Sequence, residues 1–283
     1  MKPDMLADTV MPPDFERRFG GLARLYGAAG AQQIRQAHIV VVGLGGVGSW
    51  AAEAAARSGV ARLTLVDLDH IAESNINRQV HALDDTVGMA KVQAMRERIA
   101  HINPDCTVDG IEEFVDTNNW PGVLGFDADF DWKTAAIIDA CDQVKAKTAM
   151  AAWATKNNAT FISVGAAGGK RQAHKVDIED LSLVTHDPLL AQMRNRLRKE
   201  HGAARDKKKM GVTCVFSREA VMQPGTVAAA ANNETVDALP GLSVAAQSEA
   251  TLNCHGYGSV VTVTSTFGLC AAGWVLGKIA DRV

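Results

Sequence analysis

A glycine-rich turn between a short apolar run and an alanine-rich stretch constrains the fold of this chain more than any other feature. His38–Val42 is apolar and mostly β-branched, and Gly43-Leu44-Gly45-Gly46-Val47-Gly48-Ser49 follows it at once. Residues 50–58 are rich in alanine and favour a helix, which Gly59 would end. The stretch Arg62–Val66 is typical of a second buried strand, and Asp67 follows it directly. The order strand, glycine turn, helix, strand and acid predicts a βαβ unit that binds a nucleotide.

The rest of the chain continues this alternation. Further strands are predicted at 107–114, 135–140, 160–164, 175–180 and 211–217, and further helices at 84–102, 144–156 and 188–201. Asp85 or Thr86 is the expected N-cap of the first of these helices, and 228–248 is an expected loop. The predicted fold class is α/β: a Rossmann-like, doubly wound, mostly parallel sheet with a C-terminal extension of mixed strands and helices.

Three parts of one domain are expected along the 283 residues. Residues 1–36 form an N-terminal helical segment, 37–170 a Rossmann-like core that binds the nucleotide, and 171–283 a C-terminal part that completes the domain and the substrate site. The uncharged stretch 258–277 is interpreted as a buried final strand or helix, with a membrane-attached C-terminus as the alternative.

Composition narrows the class of protein. The formal net charge of −3 provides no general attraction to nucleic acid or membrane, so such a partner needs a local basic patch. The five cysteines form no C-x-x-C pair, which argues against a local zinc site. Their odd number and wide spacing suit reduced thiols in a cytosolic protein, and residues 1–13 lack the pattern of a secretion signal.

Charged and amide residues beyond the glycine turn decide which nucleotide is expected. Gly43, Gly45, Gly46, Gly48 and Asp67 alone would favour a nicotinamide or flavin enzyme. A triphosphate carries about four negative charges, for which arginine and lysine are the usual partners. The chain supplies Arg78 within Asn75-Ile76-Asn77-Arg78-Gln79, and Lys91 near the start of a helix. Asp142, after the fourth strand, is placed to hold Mg²⁺ against the phosphates, whereas Asp139 is expected to be a cap or packing partner.

This combination of motifs resembles the ubiquitin-activating-enzyme-like superfamily, which includes the bacterial adenylyltransferases of thiamine and molybdopterin synthesis. The resemblance implies that Asp67 binds the ribose and that Asp142 binds Mg²⁺. It also implies an adenylating homodimer, in which Arg18, or failing that Arg24, reaches the partner's triphosphate. The residues expected around the nucleotide are Gly43, Gly45, Gly46, Gly48, Asp67, Asn75, Arg78, Gln79 and Lys91, with Arg18, Arg78 and Lys91 as the catalytic cations.

A narrower resemblance is to the tRNA threonylcarbamoyladenosine dehydratase group. It rests on residues 18–27, 47–54 and 75–83, on Gly168-Gly169, on Asp187-Pro188-Leu189 and on Cys214-Val215-Phe216-Ser217. The group implies a cytoplasmic enzyme that uses ATP to dehydrate N6-threonylcarbamoyladenosine in tRNA to its cyclic form. The paired zinc cysteines of the sulfur-carrier activators are missing, and a glycine- and threonine-rich stretch from Cys254 to Gly273 stands at the C-terminal end instead.

Three other functions stay open at this stage. The chain could adenylate the C-terminus of a ubiquitin-like sulfur carrier, act as an NAD(P)-dependent oxidoreductase, or serve as a non-catalytic nucleotide-binding partner of a sulfur-transfer protein. Cys214 could carry a thioester or be a small buried hydrophobe. The eight Lys and Arg of 194–209 could face water or tRNA phosphates, 165–169 could line an acyl or cation pocket, and a monovalent cation could lie near the C-terminal threonines.

Overall fold

A seven-stranded sheet organises the protein. The computed structural model describes residues 14–128, 130–206, 208–222 and 257–282, so the expected loop at 228–248 and Cys254 lie outside the described residues. The strands are β1 His38–Val42, β2 Arg62–Val66, β3 Thr107–Ile111, β4 Ala135–Asp139, β5 Thr160–Val164, β6 Val176–Asp180 and β7 Thr213–Ser217. Their order across the sheet is β3-β2-β1-β4-β5-β7-β6, and every pair is parallel except β6 with β7. The predicted doubly wound, mostly parallel sheet is confirmed.

Helices cover both faces of this sheet. They are α1 Phe15–Phe19, α2 Leu22–Gln36, α3 Gly48–Arg57, α4 Lys91–Ile102, α5 Val144–Asn157, α6 Pro188–Glu200 and α7 Val261–Ala280. One apolar core joins the sheet to residues of α3, α4 and α7, and a second joins it to α5 and α6. Burial on both faces explains why 39–42 of β1 and 135–138 of β4 are continuously apolar rather than alternating.

The helix predicted at 84–102 is shorter than expected. Asp85 and Thr86 are not its N-cap, because α4 begins at Lys91 after Ala90. Gly88 has a φ of +89°, a left-handed conformation that interrupts any helix through this segment. The Thr86 hydroxyl instead closes a turn, accepting from the Leu83 amide at 2.9 Å. Strand β3 likewise ends at Ile111, three residues before its predicted end at 114.

The apolar stretch 258–277 forms most of α7, a helix of the core. Gly268 lets α7 approach α3 closely, because an added Cβ there would meet the backbone carbonyl of Val47. By length and composition α7 could cross a membrane, but 56% of its apolar window is buried inside the protein. Burial of α7 in the core therefore explains why 258–277 is apolar and uncharged, in agreement with the interpretation as a buried helix.

Two buried histidines make folding sensitive to acid. Burial lowers the pKa of His38 and of His81 to about 4, from an ordinary value of 6.5. Nε2 of His38 lies 2.8 Å from Oγ1 of Thr64, whereas neither ring nitrogen of His81 has a partner among the described residues. Between about pH 6.5 and pH 4, both imidazoles are therefore neutral in the folded protein and protonated in the unfolded chain.

We expect the free energy of unfolding to fall as the pH is lowered from 6.5 to 4. Each histidine contributes a slope of up to about 1.4 kcal/mol per pH unit in this window, because only the unfolded chain binds the proton. Urea unfolding of wild type and His81→Leu, measured across this range, should give a shallower pH dependence for the variant. Identical slopes would contradict the burial of a neutral His81.

Candidate nucleotide-binding site

The carboxyl ends of three parallel strands create a crevice at one edge of the sheet. Val42, the last residue of β1, pairs in register with Val66 of β2 and with Asp139 of β4. The chain leaves β1 toward β2 on one side, and β4 lies on the other, so this is the point where the strand order reverses. Open α/β sheets bind ligands at such a point. Here a cavity of about 490 Å³ opens between the strand ends.

The glycine turn forms the floor of this cavity. Gly43 has a φ of +87°, and its N–H donates to the Val66 carbonyl at 2.8 Å. An added Cβ on Gly48 would meet the carbonyl oxygen of Gly43, so α3 can begin this close to β1 only with glycine. The side chain of Arg78 crosses Gly46, where a Cβ would lie 3.0 Å from its Cγ. Gly43, Gly45 and Gly46 line the cavity, whereas Gly48 shapes the turn.

Asp67 and Lys91 form a buried charged pair on the cavity wall. The two oxygens of Asp67 accept from the amides of Leu44 at 2.5 Å and Asp69 at 2.9 Å. Nζ of Lys91 lies 2.7 Å from Oδ2 of Asp69 and 3.7 Å from Oδ1 of Asp67. Burial raises the pKa of Asp67, and the Lys91 ammonium opposes this rise. The acid predicted for the ribose and the lysine predicted for phosphate are thus adjacent, and Asp69 is a partner of the lysine.

The Asn75–Gln79 motif lines the same cavity, and hydrogen bonds to neighbouring residues hold it in place. Asn75 Oδ1 caps the short turn by accepting from the Ala72 amide at 3.1 Å. Trp50 of α3 donates to the Arg78 carbonyl at 2.9 Å, and the Arg78 guanidinium donates through Nη1 to the Ser74 carbonyl at 2.8 Å. Gln79 is buried, and its Oε1 has no hydrogen-bond partner among the described residues. A buried amide oxygen without a donor fits a site whose ligand brings hydroxyl or amino groups.

Asp142 lies exposed on the cavity wall after β4. It does not cap α5, whose N-cap is Gln143, and the structure gives it no side-chain partner among the described residues. Within the described ranges no three His, Cys, Asp or Glu side chains are grouped for a metal. A lone carboxylate fits Mg²⁺, which commonly binds one or two carboxylates and completes its shell with phosphate oxygens and water. Asp139 is instead fully buried in an ion pair with Lys147, as expected for a packing partner.

Residues distant in sequence from the glycine turn also line this cavity. Of the stretch 165–169, residues 165–168 line it and Gly169 does not. The buried Asp187 holds this stretch, because its carboxylate accepts from the amides of Ala166 and Leu190, both at 2.9 Å. Sequence reasoning missed other lining residues, among them Phe114, Val221, Tyr257 and Thr264. Their positions depend on tertiary packing, and no local motif marks them.

Arg18 and Arg24 do not reach the nucleotide cavity of their own chain. Arg18 is exposed on α1, donates to the Ile102 carbonyl at 2.7 Å and lines a separate cavity of about 670 Å³. Arg24 is exposed on α2. A contact between either arginine and a triphosphate would therefore have to be made in the cavity of a partner subunit.

Cys214 is a buried residue of β7 and lies outside the nucleotide cavity. Its side chain is fully enclosed, and burial raises the pKa of the thiol well above its ordinary value. A thiol that resists ionisation and cannot meet substrate is unsuited to a thioester. The alternative of a small buried hydrophobe is therefore the one that the structure supports.

The basic segment 194–209 divides into two groups. Arg194 donates to the Leu181 and Val184 carbonyls, Arg198 donates to the Ala204 carbonyl, and Arg196 pairs with Glu200. Four other cations of the segment are exposed, with no side-chain partner among the described residues: Lys199, Arg205, Lys208 and Lys209. The arginines of α6 thus support the fold, and the later cations face outward.

Comparison with known proteins agrees with this geometry. Residues 18–278 match the ThiF family. The chain belongs to the ThiF family. It is 39% identical over 278 residues to the tRNA threonylcarbamoyladenosine dehydratase of Escherichia coli K12, covering 96% of this chain and 97% of that protein.

Solved structures of the Escherichia coli tRNA N6-threonylcarbamoyladenosine dehydratase share the fold of this ThiF-family chain. The complex with ATP has a TM-score of 0.79 at 37% identity and covers 96% of this chain and 98% of the other. The complex with AMP has a TM-score of 0.78 at 38% identity, with coverage of 97% and 98%. The predicted superfamily and the narrower group are both confirmed as resemblances over nearly the whole chain.

The glycine turn offers a matched pair of substitutions. We expect Gly48→Ala to destabilise the protein by about 1–3 kcal/mol, because its Cβ would collide with the Gly43 carbonyl. Gly45→Ala should keep the wild-type melting temperature, since nothing lies within 4 Å of its added Cβ, yet should weaken ATP binding because Gly45 lines the cavity. Thermal unfolding and calorimetry with ATP test both, and equal stability of the two variants would contradict this geometry.

Proposed function

We propose that this ThiF-family protein uses ATP to dehydrate N6-threonylcarbamoyladenosine in tRNA to its cyclic form. The observation that carries the proposal is the convergence of Asp67, Arg78, Lys91 and Asp142 on one cavity at the reversal point of the sheet. Full-length similarity to a tRNA threonylcarbamoyladenosine dehydratase supports the choice of substrate.

The first step is adenylation of the substrate carboxylate. An oxygen of the threonine carboxylate attacks the α-phosphorus of ATP, the bond to the β-phosphate oxygen breaks, and pyrophosphate leaves. Arg78 and Lys91 bind the phosphate oxygens and offset their negative charge. Asp67 accepts a hydrogen bond from a ribose hydroxyl, and its buried position beside the glycine turn fixes where the ribose lies.

The second step closes the ring. A nitrogen of the same modified base attacks the acyl carbon of the mixed anhydride, loses its proton, and AMP departs as the leaving group. The elements of one water are thereby removed from the substrate, and ATP is converted to AMP and pyrophosphate. Because nucleophile and electrophile belong to one nucleoside, correct positioning supplies much of the acceleration. No enzyme nucleophile is needed, in agreement with the enclosed position of Cys214.

Asp142 would hold Mg²⁺, which when bound neutralises phosphate charge. The donor set fits that ion because the carboxylate is exposed at the cavity and has no competing side-chain partner among the described residues. A monovalent cation near the threonines of α7 is a further proposal, supported by the presence of Thr264 on the cavity wall.

The outward cations of 199–209 would contact tRNA phosphates. They provide local positive charge on a chain whose net charge is −3, and such contacts give affinity without sequence recognition. A tRNA substrate and the four free cysteines of the described residues both suit the cytoplasm, which we propose as the location. Cooperation with a sulfur-transfer protein remains a proposal that rests on the family resemblance alone.

Two alternative activities predict different substrates. An activator of a ubiquitin-like sulfur carrier would exchange pyrophosphate into ATP when given a carrier ending in Gly-Gly, and an NAD(P)-dependent oxidoreductase would bind a dinucleotide in the same cavity. The paired zinc cysteines of the first class are missing from this sequence. Arg78 and Lys91, the cations beyond the glycine turn, favour ATP over the dinucleotide that an oxidoreductase would bind.

Incubation with substrate tRNA tests the proposed function directly. We expect purified protein, ATP and Mg²⁺ to remove one water from threonylcarbamoyladenosine in tRNA, as detected by mass spectrometry of nucleosides isolated under mild conditions. Arg78→Ala should lower the rate by about 10²-fold or more, because a charge-assisted phosphate contact is lost. An unchanged nucleoside with correctly folded protein, together with pyrophosphate exchange driven by a Gly-Gly carrier, would overturn the assignment.

The proposed homodimer makes a separate prediction about Arg18. If Arg18 serves the partner's site, Arg18→Ala and Arg78→Ala should each be inactive alone but regain activity when their subunits are exchanged. Random pairing gives one intact site in half of the dimers, hence about one quarter of wild-type activity. Mixed subunits that stay inactive, although exchange is verified by mass, would argue against a shared site.

A further inference from the structure

A fully buried ion pair lies beneath the nucleotide cavity. Lys147 of α5 and Asp139 of β4 are both 0% exposed, and Nζ lies 3.0 Å from Oδ2. Neither residue lines the cavity. Withdrawing two charges from water is costly, and stability alone is often served as well by apolar residues. Stability alone therefore does not account for this ion pair, and the groups to which it is hydrogen-bonded indicate its role.

Lys147 holds the backbone that leads to Asp142. Besides the carboxylate, its Nζ donates to the Cys141 carbonyl at 2.9 Å and to the Asp139 carbonyl at 3.4 Å, on either side of Ala140. Burial disfavours the ammonium, but the Asp139 carboxylate, Cys141 and Cys214 together outweigh burial and raise the pKa of Lys147, so three N–H donors are present at neutral pH.

Asp139 extends the same network across the sheet. Ser163 of β5 donates to Oδ2 of Asp139 at 2.6 Å, and the Cys141 amide donates to Oδ1 at 3.3 Å. The Ala140 amide donates to the Val42 carbonyl at 2.8 Å, which joins this segment to the end of β1 and the glycine turn. Residues 139–141 are thus fixed from β1, β5 and α5, and the next residue is Asp142.

We infer that Lys147 is a positioning residue, which fixes the backbone of residues 139–141 and thereby directs Asp142 toward the metal bound with the triphosphate. This inference rests on the proposed function, since it gives Asp142 a metal to bind. Asp142 has no side-chain partner of its own among the described residues, so its placement depends on the backbone that precedes it. Groups behind a metal ligand commonly affect metal affinity by about 10–100-fold.

Two variants separate positioning from stability. Lys147→Met leaves Asp139 buried and unpaired, so both melting temperature and metal affinity should fall. Lys147→Met/Asp139→Asn removes both charges, while the side-chain amide oxygen introduced in place of the carboxylate can still accept from Ser163, so the melting temperature should recover. The bonds from Lys147 to the Cys141 and Asp139 carbonyls remain absent in the double variant. Metal affinity should therefore stay low, comparable to that of Asp142→Asn.

Electron paramagnetic resonance of Mn²⁺ provides the readout without catalysis. With ATP bound, we expect the double variant to bind Mn²⁺ about tenfold more weakly than wild type, while its affinity for ATP without metal changes less than about twofold. Wild-type Mn²⁺ affinity in a stable double variant would overturn the positioning role and leave the proposed function intact. Absence of ATP-dependent Mn²⁺ binding in the wild type would refute both the inference and the metal site on which it rests.

Discussion

Parallel pairing of β1 with β2 on one side and with β4 on the other is the constraint on which the rest of this structure depends. It places Val42, Val66 and Asp139 at one edge, and the residues that follow each strand must meet there. The glycine turn makes this meeting possible, because only residues without a Cβ allow α3 to begin against the end of β1. Asp67, the turn and Asp142 are brought together by register rather than by nearness in sequence.

Three charged side chains at the cavity, those of Lys91, Arg78 and Asp67, have polar partners within the protein. Lys91 contacts Asp69, Arg78 contacts a backbone carbonyl and the Asn77 side chain, and Asp67 accepts two backbone amides. These contacts restrain the cations at the cavity, and charged groups restrained in this way need little reorganisation to stabilise charge that develops on a bound phosphate.

Local patterns in the sequence are sufficient to predict most of the sheet and part of the site. Buried parallel strands are continuous apolar runs, and Gly43–Gly48 mark a tight turn, so β1, β2, β4 and β5 are predicted within one residue of their ends. The start of α4 is not predicted, because the interruption depends on the conformation of Gly88, which composition does not specify. The insertion of β7 between β5 and β6 follows from long-range pairing and has no local signal.

The parts of the site that escape prediction share one physical cause. Val221, Tyr257 and Thr264 reach the cavity from segments far along the chain, and Lys147 acts from beneath it through backbone carbonyls. Asp139 could be expected as a packing partner, but its lysine lies eight residues away on the next helix, and only the folded structure joins them. Contacts of this kind are fixed by packing, whereas motif residues are fixed by the turn that contains them.

Calorimetric titration with nucleotides tests the central claim most directly. If the crevice between β1 and β4 is built for a triphosphate, wild-type protein should bind ATP with Mg²⁺ in a saturable manner and bind NAD much more weakly. Tight binding of NAD with no detectable binding of ATP would contradict the account.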